Sequence, residues 1–128
     1  MVQVDFNSKT PTYEQIQNQI KKLILQKAIR SEEKIPSIRE LAYNITINPN
    51  TVRKAYSNLE KEGIIETVIG KGTYVTLKAA EIIKETEYIQ LKNEIIRLIQ
   101  KSNSLGITVE EFIVILNNII LEKGTYNG

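Results

Sequence analysis

The sequence contains no cysteine and no histidine. Without cysteine, no disulfide framework and no thiolate metal ligand can form. Without either residue, a Ser-His-Asp triad, a cysteine nucleophile and the common zinc ligand sets cannot be assembled. The acidic residues mostly accompany Lys or Arg on predicted helix faces, which is typical of a solvated surface. These absences predict a protein that is not an enzyme and binds no metal.

Long hydrophobic runs and cofactor fingerprints are also missing. No apolar stretch reaches the roughly 18 residues that a membrane span requires, and the N-terminal stretch lacks a signal-peptide core. Neither a P-loop nor a dinucleotide-binding pattern occurs. We therefore expect a cytoplasmic protein that contacts no membrane and needs no cofactor.

Charge is distributed unevenly along the 128 residues, whose net charge is +2. Residues 1–78 contain 12 Lys/Arg and 8 Asp/Glu, whereas residues 79–128 contain 5 and 7. The first part is therefore basic and the second mildly acidic. Such a surplus permits a polyanionic partner without requiring one.

The first part begins with two predicted helices. One opens at Pro11 and fades near Ile29, with apolar residues at helical spacing. The second is short and ends near Asn44. It starts with a capping box, in which Ser37 and Glu40 can each satisfy a backbone N–H of the other.

A third predicted helix and a hairpin follow. Asn48 can cap the helix and Pro49 suits its first position. The helix turns four residues inward and ends before Gly63; the four are Val52, Ala55, Tyr56 and Leu59. Two β-rich runs flanking Gly70-Lys71-Gly72 predict a two-stranded hairpin.

This order of elements is that of a winged helix-turn-helix, in which the hairpin is the wing. The N-terminal part of the second helix of such a motif enters the major groove of DNA. The outward or flanking residues there are Asn50, Thr51, Arg53, Lys54 and Ser57. Arg can contact guanine bidentately and Asn can contact adenine. Each residue alone is compatible with an ordinary solvated surface, but three segments place cations or donors on what this fold makes one surface.

The segment "KIPSIRELAYNITINPNTVRKAYSNLEKEGIIETVIGKGTYV" resembles the DNA-binding domain of GntR-family bacterial transcription regulators. The resemblance covers about residues 10–77. The matching residues are Pro36, Ser37, Arg39, Leu41, Ala42, Thr51, Val52, Arg53, Ala55, Leu59, Glu60, Glu62, Gly63, Gly70, Gly72, Thr73 and Val75. It implies operator contacts for Arg39, Thr51, Arg53 and the wing glycines.

Two departures from the family pattern concern loop geometry. Thr46 occupies a turn position where glycine is common, and the loop "KAIRSEEK" lacks the usual glycines. Together, the pattern and the resemblance give a set of candidate DNA-binding residues. They are Ser37, Arg39, Asn50, Thr51, Arg53, Lys54, Ser57, Gly70, Lys71, Gly72 and Thr73.

From about residue 79 the pattern is purely helical, with a break at Gly106 and a second capping box from Thr108 to Glu111. A tail of about 50 residues is similar to that of the YtrA-type subfamily, where it implies dimerisation. Its apolar surface is also too broad to be buried within one chain. The candidate dimerisation residues are Ile89, Ile96, Ile99, Phe112, Ile115, Leu116, Ile119 and Ile120. A pocket for a cofactor or small-molecule effector is the alternative use of the tail.

The resulting prediction is a mainly α fold with a small β-hairpin. Residues 1–78 form a winged helix-turn-helix domain, and residues 79–128 form a helical dimerisation tail. The protein is expected to be a homodimeric repressor that binds double-stranded DNA at an inverted-repeat operator. The alternative is a winged-helix module that binds another protein, because fold alone does not determine function.

Overall fold

The structure, a computed structural model, describes residues 2–123. Within that range, five helices and three strands follow one another along the chain. They are α1 (Thr12–Leu25), β1 (Lys34–Ile35), α2 (Ile38–Ile45), α3 (Pro49–Lys61), β2 (Ile65–Val68), β3 (Gly72–Val75), α4 (Ala79–Ser104) and α5 (Val109–Lys123). The predicted mainly α class with a small β element is confirmed.

The β element is larger than the predicted hairpin. The sheet has three antiparallel strands in the order β1-β3-β2. Lys34 pairs with Tyr74 and Ile35 with Thr73, so the short β1 covers the free edge of the wing. Sequence reasoning missed β1 because two residues carry no periodic signal.

The helix starts are those that the capping residues predict. The Ser37 hydroxyl accepts a hydrogen bond from the Glu40 amide at 3.1 Å, and the Glu40 carboxylate accepts one from the Ser37 amide at 3.3 Å. At α3, Asn48 accepts a hydrogen bond from the Asn50 amide at 2.8 Å, directly before Pro49. These caps satisfy backbone donors that a helix start leaves unpaired.

The core of the first part forms where α1 and α2 pack on α3. Ile16, Val52 and Leu59 are completely buried there. Ala79 and Ile83, from the start of α4, are buried in the same core. The chain divides into two compact units between Thr86 and Glu87. The predicted functional division between residues 78 and 79 stays a prediction. We call residues up to Thr86 unit 1 and residues from Glu87 unit 2.

Both departures from the family pattern coincide with left-handed backbone. Thr46 has φ 54° and ψ 52° just after α2, and the Ile47 amide donates back to the Ala42 carbonyl at 2.9 Å. In the loop "KAIRSEEK", Lys27 has φ 61° and Glu32 has φ 65°. Ordinary residues thus adopt the conformations for which glycine is preferred, so the turns keep their geometry at an energetic cost.

An extended N-terminal segment lies against α1 in unit 1. Gln15 accepts a hydrogen bond from the Asp5 amide at 2.9 Å and donates one to the Asp5 carbonyl at 2.9 Å. Gln19 makes the same reciprocal pair with the backbone of Gln3. Because Gln15 and Gln19 are one helical turn apart, they meet alternate residues of the segment, and Val2 is buried in the core.

Unit 2 consists of the rest of α4 and of α5. The predicted second capping box is present, since the Thr108 hydroxyl accepts from the Glu111 amide at 3.1 Å. The last five residues of the predicted tail, 124–128, lie outside the described range. No single described helix is long and apolar enough to cross a membrane, and only the bent pair of α4 and α5 reaches those limits together.

Candidate nucleic-acid interface

The first two turns of α3 present a polar face to solvent. The four residues predicted to turn inward, Val52, Ala55, Tyr56 and Leu59, are buried. Their packing leaves Asn50, Arg53, Lys54 and Ser57 exposed, while Thr51 is half-buried beside them. Pro49 and the Asn48 cap determine where the helix begins, and therefore which way these side chains leave it.

Two of these side chains have partners within unit 1. The Arg53 guanidinium donates a hydrogen bond to the Asn50 side-chain oxygen at 2.9 Å. The Lys54 ammonium lies 4.0 Å from the ring centroid of Tyr13, a cation–π contact that joins α3 to the start of α1. Cations in the first turns of a helix oppose its dipole by about 0.3–1 kcal/mol each. These two contacts offset part of that cost in the free protein.

The first helix of the motif contributes Arg39. It is exposed and lines a hollow with Tyr43, Thr46, Ile47 and Pro49, so the structure brings Arg39 beside the start of α3. Ser37 is half-buried and its oxygen serves as a helix cap, which leaves its hydroxyl hydrogen and one lone pair for a further contact. The sequence analysis did not single out Tyr43, which is 86% exposed and lines the same hollow as Arg39. It could have done so, because residues four positions apart on a helix are neighbours on its surface.

Tyr56 holds the two helices of the motif in register. Its hydroxyl donates a hydrogen bond to the Pro36 carbonyl at 2.7 Å, just before α2. Burial raises the pKa of the Tyr56 phenol above its ordinary value, and the nearby Glu40 carboxylate raises it further. The phenol therefore stays a hydrogen-bond donor across the physiological pH range.

The wing is a tight turn with its charge at the tip. Gly70 has φ 77°, Gly72 has φ 127°, and Lys71 between them is exposed. A Cβ on Gly72 would lie 2.6 Å from Cε of Lys34, so this glycine leaves room for a second cation on the wing. Thr73 is half-buried in β3. Lys34 is a further residue that sequence reasoning missed, because β1 was not predicted.

The wing is joined to α3 at its base. The Thr67 hydroxyl donates to the Glu60 carboxylate at 2.9 Å, near the C-terminal end of α3. Among residues 2–123, no hydrogen bond connects the wing tip with Asn50 or Arg53. The same residues contain no group of His, Cys, Asp or Glu that could hold a metal ion.

These features define a winged helix-turn-helix protein. They are a capped helix with a polar, cationic face, a shorter helix packed beside its start and a glycine-flanked wing. A family model, "Bacterial regulatory proteins, gntR family", matches residues 12–75. The HTH-type transcriptional repressor YtrA of Bacillus subtilis is 44% identical over 111 residues, which cover 87% of this chain and 85% of that protein. The chain therefore belongs to the GntR family.

Solved structures that resemble the chain include the following two. A transcriptional regulator from Oenococcus oeni is 32% identical with a TM-score of 0.77, covering 91% of this chain and 97% of that one. The AraR DNA-binding domain, solved with its operator ORX1, is 32% identical with a TM-score of 0.52, covering 57% of this chain and 90% of that one. These comparisons confirm that the protein is a GntR-family transcription regulator of YtrA type and not an enzyme.

Proposed function

We propose that the protein is a homodimeric repressor that binds an inverted-repeat operator. The observation that carries this proposal is the polar N-terminal face of α3. Pro49 begins this helix beside the exposed Arg39, and Arg53 leaves it one turn later. A recognition helix reads bases with its first turns, and the preceding helix crosses the phosphate backbone.

Four exposed side chains of α2 and α3 have suitable DNA partners. Arg53 can contact O6 and N7 of guanine, and Asn50 can contact N6 and N7 of adenine. For Arg39 we propose a phosphate or base-edge contact, and for Lys54 a phosphate contact. A protein-binding module would need apolar anchors at these positions, so the polar face favours DNA over the alternative.

The wing supplies a second contact to the same duplex. Lys71 at its tip and Lys34 along its side are cations suited to phosphates that border a minor groove. The glycines allow the backbone of the turn to approach the duplex closely. The AraR DNA-binding domain, which is known with its operator, supports a DNA-binding role for the corresponding unit here.

Dimerisation is proposed from the surface of unit 2. Six of the eight predicted residues are between 42% and 54% exposed, namely Ile89, Ile96, Ile115, Leu116, Ile119 and Ile120, while Ile99 and Phe112 are partly buried. Large exposed apolar patches mark interaction sites, and unit 2 exposes large apolar side chains on both of its helices. A second copy of the chain would cover them and would place two DNA-binding units on one operator, as an inverted repeat requires. Repression is proposed by analogy with the B. subtilis relative, which is named a repressor. A cytoplasmic location is proposed because the DNA of a bacterial cell lies in the cytoplasm.

The DNA-binding proposal is tested by genome-wide capture of bound DNA, followed by footprinting of the best site. Affinity for that site is then measured for Arg53→Ala and for Lys61→Ala, which removes the same charge from the exposed C-terminal end of the same helix. We expect Arg53→Ala to bind about 1–3 kcal/mol more weakly and to lose preference at one base pair. Equal affinities for both variants and the wild type would refute the assigned surface.

The dimer proposal is tested by sedimentation equilibrium of the full chain. Ile115→Glu and Ile119→Glu should each shift the protein towards monomer, because a buried unpaired carboxylate is costly in an apolar interface. Glu87→Gln, an exposed change on α4 in the same unit, serves as the control. A wild-type chain that sediments as a monomer at micromolar concentration would overturn the proposal.

A further inference from the structure

We propose that Ile69 is an apolar wedge that the wing inserts between base pairs from the minor groove. This inference rests on the proposed DNA-binding function and adds to it a deformation of the duplex. Among the described residues, Ile69 is the most exposed large apolar side chain, at 97%. It lies at the tip of the wing, immediately before Gly70 and Lys71.

The backbone of the turn holds Ile69 outward. The Lys71 amide donates a hydrogen bond to the Val68 carbonyl at 2.9 Å, which closes a four-residue turn. Its third residue, Gly70, has a positive φ of 77°, whereas Ile69 does not have a positive φ. This is the pattern of a type II turn with Ile69 in its second position. The closed turn therefore fixes the backbone that carries Ile69, and the 97% exposure of its side chain shows that it points into solvent.

No residue of the described part of the chain shields this side chain from water. Val68 before it is half-buried, whereas Ile69 is almost as exposed as an isolated residue. A single exposed apolar residue is common on proteins and needs no explanation. Here, however, it lies on the wing, which the proposed function places at the minor groove, where apolar side chains can enter base steps and unstack them.

Lys71 and Lys34 give the wedge its setting. Lys71 follows Ile69 after one glycine, and the Lys34 side chain runs across Gly72 on the same wing. Lys71 at the tip and Lys34 along the side of the wing can hold phosphates while Ile69 lies between the bases. Such a wedge favours flexible pyrimidine–purine steps, because these unstack at least cost. The wing thereby contributes sequence preference without a hydrogen bond to any base.

The experiment uses the full chain and a duplex carrying the footprinted site. 2-Aminopurine replaces adenine in turn at each A·T pair of the minor groove protected by the wing. The wild type should raise fluorescence at one step, because unstacking relieves quenching. Ile69→Ser should abolish that rise and weaken binding about tenfold. Its salt dependence should not change, because no charge is lost.

Three variants separate the wedge from a merely structural effect. Ile69→Met keeps an apolar side chain and should restore both the fluorescence and the affinity. Leu77→Ser changes another exposed apolar residue, 67% exposed just after β3, and should alter neither. Lys71→Gln should lower the salt slope by about one per half-site while the fluorescence rise persists.

The outcomes distinguish this inference from the function on which it rests. A wild type that protects a site, together with Ile69→Ser that matches it in affinity and fluorescence, overturns the wedge alone. A wild type that protects no DNA overturns the proposed function, and the wedge with it. Loss of the fluorescence rise in Ile69→Ser, with rescue by Ile69→Met, establishes the wedge.

Discussion

The guanidinium of Arg53 is hydrogen-bonded to the side-chain oxygen of Asn50, one helical turn earlier, at 2.9 Å. Both residues are candidates for base contacts, and in the free protein their side chains are hydrogen-bonded to each other. This hydrogen bond restricts the side chains of both residues on an exposed face of the free protein. Binding then exchanges one hydrogen bond for several, at a smaller loss of side-chain entropy than free side chains would require.

This pair makes Asn50→Asp and Asn50→Ala differ in a defined way. An acidic residue at the start of a helix should raise the free energy of unfolding by about 0.3–1 kcal/mol. The same carboxylate should hold Arg53 more tightly and repel phosphate, so that Asn50→Asp binds DNA more weakly than Asn50→Ala. Denaturant titration and operator affinity measure the two effects separately. In an Arg53→Ala background the difference in affinity should shrink; a difference of unchanged size would contradict the role of the pair.

Thr46→Gly should stabilise the protein. A β-branched residue with φ 54° costs about 1–2 kcal/mol of backbone strain, part of which glycine loses again through its unfolded-state entropy. We expect a net gain of about 0.5–1 kcal/mol in urea denaturation. Gly63→Ala is the opposite control: Gly63 has φ 82°, so alanine should cost about 1 kcal/mol or more. If Thr46→Gly is neutral or destabilising, the left-handed strain is absent.

The raised pKa of Tyr56 makes stability depend on alkaline pH. The folded protein keeps its phenol proton above the ordinary pKa of about 10, whereas the unfolded chain releases it. The contribution of the Tyr56 phenol to the free energy of unfolding is therefore fully present below about pH 10. Above it, the free energy of unfolding should fall by up to about 1.4 kcal/mol per pH unit. Tyr56→Phe should lack this extra slope, while losing about 1 kcal/mol at neutral pH with the hydrogen bond to Pro36. Parallel slopes for the two proteins would disprove the assignment.

Two truncations test where the DNA-binding unit ends. A chain of residues 1–78 lacks Ala79 and Ile83, both buried in the core of unit 1. Losing a buried isoleucine costs about 2–5 kcal/mol, so this fragment should be partly unfolded by circular dichroism. A chain of residues 1–86 should fold cooperatively, sediment as a monomer and bind the operator weakly. Equal thermal stability of the two fragments, or a tight dimer of residues 1–86, would be the contrary result.

Most of unit 1 could be predicted because its signals are local. The Ser37–Glu40 box, the Asn48-Pro49 start and the inward set on α3 each depend on residues within one or two turns. β1 and the boundary after Thr86 could not be predicted in this way. Ile35 and Ile83 are buried by residues that are distant in sequence, and a two-residue strand or one helical turn has no period of its own.

For the candidate site, the sequence predicts which residues form the polar face, but it does not predict which residues of other elements they contact. The sequence indicates which face of α3 is polar, because the apolar set defines the opposite one. It does not indicate that Lys54 of α3 lies over Tyr13 of α1, because these residues are 41 positions apart in the sequence. Nor does it bring Lys34 to the wing, since that depends on β1 pairing with β3. Long-range pairing supplies what composition and spacing leave open.

The side-chain amides of Gln15 and Gln19 have a consequence for aggregation. They satisfy the N–H and C=O groups of Asp5 and Gln3, which would otherwise form an open row able to pair with another chain. A helix thus does for this segment what a neighbouring strand does in a sheet. Replacing both glutamines by alanine would leave an extended, unpaired backbone beside the apolar residues Val2 and Val4. That edge would make concentrated protein self-associate through strand pairing, independently of any dimer formed by unit 2.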